Sequence, residues 1–183
     1  MFRRFTVEES VSGQSAMKSS QQRAARQKIV QQLPTIEPYI DSFFPKKEKT
    51  ISAKCAGHVT ILASAGGVPL FFQTRDGAYV PTLRTLHKYP FLLPILRVDR
   101  GAIKHVINGA DVMVPGLRSS RAVIEDEVER NCVVAVYAES KEHAICVGIT
   151  KMSSQQMRLN DKGIAVESMH YVSDGLWKCS ELS

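Results

Sequence analysis

The chain has little that signals catalysis or export. Its 183 residues contain no Gly-x-Ser-x-Gly elbow, no Walker loop ending in Gly-Lys-Ser/Thr, and no glycine-rich dinucleotide fingerprint following a strand. The familiar hydrolase, nucleotide-cleaving and dehydrogenase sites are therefore not expected. Only four cysteines occur, Cys55, Cys132, Cys146 and Cys179, with no Cys-x-x-Cys pair. That usage fits reduced thiols in the cytosol better than a disulfide scaffold. A Cys–His nucleophilic pair needs adjacency only in space, so it stays open, but no motif marks one thiol as activated. No run approaches the ~18 apolar residues that read as a membrane span. The start, Met1-Phe2-Arg3-Arg4-Phe5, lacks the apolar segment of a signal peptide. A cytoplasmic location with no membrane partner is expected. Exposed aromatics are few, so a base-stacking platform is not evident, and no internal repeat stands out.

What the chain does have is charge, unevenly placed. Residues 1–90 hold 13 Lys/Arg against 6 Asp/Glu, a net +7, whereas residues 91–183 hold 11 against 12, a net −1. The long-range field comes from the first half and favours a polyanionic partner. Hydrophobic residues make up 44% of the chain, enough for one large core or two small ones.

Read in order, residues 1–12 alternate loosely and suggest a first strand. Residues 15–33 suggest a helix with Ala25, Ile29, Val30 and Leu33 as its apolar stripe. A short helix near 36–44 follows Pro34. From Thr50 to Val80, short β-rich runs are broken at Gly66-Gly67 and Asp76-Gly77, which predicts an antiparallel meander. Thr82 to Tyr89 reads as a helix with Leu83 and Leu86 packed and Arg84, His87 and Lys88 exposed. Tyr89-Pro90-Phe91-Leu92-Leu93-Pro94 breaks the pattern and is apolar enough to be a packed hinge, dividing the chain at 1–92 and 93–183. Beyond it, Val133–Ala138 and 143–150 read as paired strands, Ser153–Leu159 as a helix, and 164–167 and 170–172 as two closing strands.

Two sulfur–imidazole pairs invite a zinc test, Cys55 with His58 and His143 with Cys146. His143 and Cys146 fall in an expected strand, where positions i and i+3 face opposite ways, so no metal site is expected.

The stretch Val98–Leu117 organises the second half. Asp99 caps a helix whose apolar residues Ala102, Ile103, Val106 and Ile107 recur at helical spacing, leaving Arg100, Lys104 and His105 on other faces. Asn108-Gly109 ends that helix, because glycine enters the left-handed conformation without a Cβ clash. A strand, 111–114, then stops at Pro115-Gly116.

Strand, basic helix, glycine turn and strand together resemble the opening of a PUA domain. Taken with Pro81-Thr82-Leu83-Arg84-Thr85-Leu86-His87-Lys88-Tyr89-Pro90 upstream, and with Lys162-Gly163-Ile164, His170-Tyr171 and Asp174-Gly175-Leu176-Trp177 downstream, the chain resembles the malignant T-cell-amplified sequence family over nearly its whole length. The resemblance implies an α+β fold, a basic N-terminal domain packed against a PUA pseudo-barrel of about six strands. It implies a translation factor without enzymatic activity or cofactor, which binds the small ribosomal subunit through its RNA. Reinitiation, unconventional initiation and release of spent transfer RNA are the expected activities, in a heterodimer with the SUI1-domain partner density-regulated protein. RNA-modification accessory, ribosome-assembly factor and protein–protein adaptor are the alternatives. Arg100, Lys104 and Lys151 are the expected phosphate contacts, with Gly109 and Ala110 giving close backbone approach. The acidic run Glu125 to Glu129 departs from the family pattern, and folded over the glycine turn it would repel phosphate.

Overall fold

The computed structural model describes residues 1–75 and 77–182. The first unit runs α1 (Val7–Ser10), β1 (Val11–Ala16), α2 (Ser19–Gln32), α3 (Ile40–Phe43), β2 (Ile51–Cys55), β3 (Val59–Ala63), β4 (Pro69–Gln73), β5 (Tyr79–Pro81) and α4 (Leu83–Lys88). The second runs β6 (Ile95–Val98), α5 (Ile103–Val106), β7 (Val112–Met113), α6 (Val114–Arg118), β8 (Val123–Ile124), β9 (Val133–Ala138), β10 (Cys146–Thr150), α7 (Ser154–Leu159), β11 (Ile164–Tyr171) and α8 (Gly175–Lys178). Strands β1 to β5 form an antiparallel meander in sequence order, and the second sheet has the order β7-β11-β10-β9-β6-β8. The protein is thus α+β, with the six strands of a PUA fold in its second half.

β9 explains how the two sheets meet. Its residues Val133 to Ala138 are apolar without alternation because both faces are covered. Ala135 and Tyr137 join the core under the first sheet, while Val134, Val136 and Ala138 face the interior of the second. Val147, Met169 and Leu176 also sit in the first core, beside Ile61, Phe71 and Phe72. The seam between the two units is therefore shared core. Leu92 and Leu93 of the apolar hinge are buried in it, whereas Phe91 is exposed and packs on Tyr39 at 5.1 Å between ring centroids. Both chain ends close over the seam: Gly175 N–H donates to Phe2 O (2.8 Å) and Leu182 N–H donates to Gly67 O (2.9 Å).

Several elements differ from the sequence reading, each for a local reason. Thr6 caps α1 by accepting from Glu9 N–H, so residues 1–12 hold a helical turn and the strand starts only at Val11. Ser15 and Ala16 pair with Ser52 and Ile51, which delays α2 to Ser19. Pro115 occupies the first turn of α6, where its missing N–H costs nothing, so Pro115-Gly116 opens a helix and does not merely stop a strand. The two closing strands are one, β11, in which Met169 is the extra residue of a bulge between the pairs Gly148–Ser168 and Val147–His170. The reversal expected at Asp76-Gly77 involves Asp76, which lies outside the described residues.

His87, expected on the surface, is half-buried at the seam. Its Nε2–H donates to Ala144 O (2.7 Å), its ring stacks on His143 at 4.8 Å, and Trp177 lies 5.2 Å away. His143 precedes β10 in a bend, so the strand argument used for zinc does not describe it. Burial pushes the His87 imidazole below its ordinary value, the Ala144 hydrogen bond opposes this, and His143, His170 and Arg84 push the same way as burial. The unfolded chain then binds more protons than the folded one as His87 titrates, so stability rises with pH in that window. Its contribution is present above about 6.5 and is lost as pH falls through the depressed folded value. Urea unfolding is expected to show lower stability at about pH 5.5 than at about pH 7.5, and His87→Gln is expected to reduce that difference.

Candidate nucleic-acid interface

β6 delivers the chain to Asp99, whose Oδ1 accepts from Ala102 N–H (2.9 Å) and starts the helical turn that continues into α5. Val106 is buried and Ala102 and Ile103 pack on the second core, which leaves Arg100, Lys104 and His105 exposed on the remaining faces. Among the described residues, neither Arg100 nor Lys104 has an acidic side chain within ion-pair distance. Their charge is available to an external anion.

The turn that follows is tightly specified. Gly109 N–H donates to Val106 O (2.9 Å), Ala110 N–H to His105 O (3.0 Å), and Asn108 Nδ2 to Lys104 O (2.8 Å). Gly109 has φ +83°, and a Cβ built there would stand 2.6 Å from the Tyr171 hydroxyl oxygen. Glycine is thus required twice over, by backbone conformation and by the phenol lying against it. The loop is braced from β11 and the turn after it: Ser173 Oγ donates to Ile107 O (3.0 Å) and Asp111 Oδ1 accepts from Ser168 N–H (2.9 Å). A cavity of about 500 Å³ opens beside the turn, lined by Gly101, Ala102, His105, Ala110 and Met113 among others. Asp99 and Asp111 also line it, whereas Arg100 and Lys104 do not.

Arg100, Lys104, Gly109 and Ala110 are consecutive parts of this one feature. Lys151 is elsewhere. β10 begins with Cys146 opposite Tyr171, near Gly109, and ends with Thr150 opposite Val166, so Lys151 follows at the remote end and is ion-paired with Glu167. The acidic run is also remote. Ile95 N–H donates to Asp126 Oδ2 (2.7 Å), Arg97 Nε donates to Glu125 (2.6 Å), and Arg158 binds Glu127 and holds its carboxyl below the usual range. It covers the start of β6 and not the glycine turn. In the sequence reading Tyr171 stands only as part of the His170-Tyr171 motif and Asp111 only as the start of a strand, Ser173 is not named, and none is assigned a role at the turn.

Cys55 and Cys146 do not resemble activated thiols. Burial pushes the Cys55 thiol up to about 11 and the Cys146 thiol up to about 12. Both hold their protons at neutral pH. Among the described residues no three His, Cys, Asp or Glu side chains gather as metal ligands would.

A meander unit sharing its core with a six-stranded pseudo-barrel, with a basic helix and glycine turn on the barrel, defines a pre-PUA and PUA protein. Residues 5–90 match the Pre-PUA-like domain and residues 94–172 match the PUA domain. The chain belongs to the malignant T-cell-amplified sequence family. It is 45% identical over 177 residues to Malignant T-cell-amplified sequence 2 of Homo sapiens, covering 97% of each chain. It is 41% identical over 178 residues to Translation machinery-associated protein 20 of Schizosaccharomyces pombe, covering 97% of this chain and 98% of that one. A hypothetical protein of Pyrococcus horikoshii shares the fold, with a TM-score of 0.74 at 23% identity, over 92% of this chain and 99% of that one.

Proposed function

We propose that this chain is a non-enzymatic, RNA-binding translation factor that acts on the small ribosomal subunit, in the cytoplasm, as a heterodimer with density-regulated protein. Family membership and the translation-machinery name of the Schizosaccharomyces pombe relative support the translation role. Reinitiation, unconventional initiation and release of transfer RNA after termination are the steps in which it would act. The observation that carries RNA binding is the glycine turn held against Tyr171 beside Arg100 and Lys104, which among the described residues have no ion-pair partner. In this proposal Arg100 and Lys104 contact phosphates, and the backbone at Gly109 and Ala110 approaches the sugar-phosphate chain. Such contacts position an RNA and leave its sequence to other devices. Lys151, ion-paired with Glu167 in a separate place, would contact a phosphate there only by exchanging that partner.

The test is a pull-down with wild type and an Arg100→Glu/Lys104→Glu variant, scored for mature small-subunit RNA and for co-purifying density-regulated protein at several salt concentrations. The variant is expected to keep the protein partner but lose RNA, with a salt slope flatter by about 1.4 to 1.8 for two lost contacts. An unchanged slope would remove the glycine turn from the RNA interface, and failure to recover the partner from wild type would reject the heterodimer.

A further inference from the structure

The first unit carries a second cationic feature that the glycine turn does not account for. α2 and the 45–50 loop wall a groove of about 410 Å³, with Arg23 and Arg26 on the helix side and Lys46, Lys47 and Lys49 on the loop side. Gln22 is buried between the walls and fixes them. Its Nε2 donates to Pro45 O (3.3 Å) and Glu48 O (3.2 Å), and its Oε1 accepts from Thr50 N–H (3.3 Å). A buried amide that satisfies one loop's backbone at three points makes that loop a defined wall, not a loose spray of lysines.

The cations differ in what they have left to offer. Arg26 is committed to Asp41 and Phe44 O, and Lys46 lies 4.0 Å from Asp41. Arg23, Lys47 and Lys49 are exposed, and among the described residues none has an acidic side chain within ion-pair distance. Glu48 is the one acid lining the groove, and the first turn of α2 contains no acid to offset the positive end of the helix. No aromatic ring lines it, so base stacking has no platform here. Cations that converge on one groove, without an aromatic platform for bases, suit repeated phosphates more than base edges.

We infer that this groove is a second RNA-backbone site, gripping phosphodiesters through Arg23, Lys47 and Lys49 independently of the glycine turn. It deepens the RNA-binding reading and rests on it. The test titrates the full chain with a fluorescein-labelled 20-nucleotide oligouridylate across salt concentrations. Arg23→Glu/Lys47→Glu/Lys49→Glu is compared with Lys28→Glu/Lys162→Glu/Lys178→Glu, which changes net charge equally at exposed lysines outside the groove. The groove variant is expected to bind at least about tenfold more weakly with a slope lower by about 2, while the control stays within about threefold of wild type. The corresponding Arg23→Gln/Lys47→Gln/Lys49→Gln variant, free of added repulsion, is expected to fall between. Equal losses in groove and control variants would reduce the effect to net charge and overturn the inference, as would wild-type binding by the groove variant. A silent Arg100→Glu/Lys104→Glu variant beside an impaired groove variant would sink the glycine-turn site and leave this one standing.

Discussion

Gly109→Val is expected to destabilise the protein by about 2–5 kcal/mol, combining the cost of a left-handed L-residue with that of forcing side-chain atoms into a filled space. The filled space is the Tyr171 ring, whose hydroxyl oxygen and Cζ would stand 2.6 and 2.7 Å from the new Cβ. Either the phenol swings away from the turn or the turn opens. In both cases the bracing from β11 loosens and RNA affinity should fall with stability. A double-mutant cycle separates the two causes, since Tyr171→Ala empties the space but leaves φ at +83°. Gly109→Val should therefore cost less in the Tyr171→Ala background, as read from urea midpoints. Strictly additive costs would mean that the ring does not constrain the turn.

Asp174→Ala should be comparably damaging, by about 3–5 kcal/mol, because it strips the partner from a buried polar cluster. Asp174 and His170 are both about fully buried, at 0% and 1% side-chain exposure. The Asp174 carboxylate accepts from His170 Nδ1–H (2.8 Å), Tyr171 N–H (3.0 Å) and Trp177 N–H (2.8 Å). Removing it leaves three donors without acceptors, those of His170 and Tyr171 buried and that of Trp177 part-buried, and each buried one carries a desolvation penalty of about 1–3 kcal/mol. Trp177 is the single tryptophan, so its fluorescence reports release of α8 directly. Asp174→Asn keeps one acceptor oxygen and should lose less. A loss under about 1 kcal/mol for Asp174→Ala would mean that the cluster relaxes around the gap.

The fold was legible where local chemistry specifies local structure. Thr82, Asp99 and Ser153 cap the helical segments that follow them, each accepting from a backbone N–H three residues on. Runs such as Val133–Ala138 read as strand from their apolar texture alone, whereas the count of six agrees only because the unread β8 offsets the two closing runs that are one strand, β11. The glycine turn was legible for the same reason, since Asn108-Gly109 and the helix before it are contiguous. What was not legible depends on residues far apart in sequence. Tyr171 meets Gly109 across 62 positions, and its identity in a closing strand says nothing of where its ring points. His87 looked like an exposed helix residue because Ala144 and His143, which cover it, come from the other unit. The split of β9 into two faces serving two cores appears in sequence only as missing alternation. The groove of the first unit was visible as basic composition, but Gln22, which makes it a groove, reads as one more polar residue on a polar helix.

The shared seam has a geometric consequence for any polymer that touches both cationic features. The distance from the glycine turn on the second sheet to the lysine wall beside α2 is set by Ala135, Tyr137, Val147 and Met169 packing under the first sheet, not by a pliable tether. An RNA that reaches both features along its backbone gains the second contact at high effective concentration, whereas one whose phosphates come at another spacing gains none. If both proposed sites hold one RNA, spacing along the ribose-phosphate path, more than base identity, decides which RNAs gain the second contact.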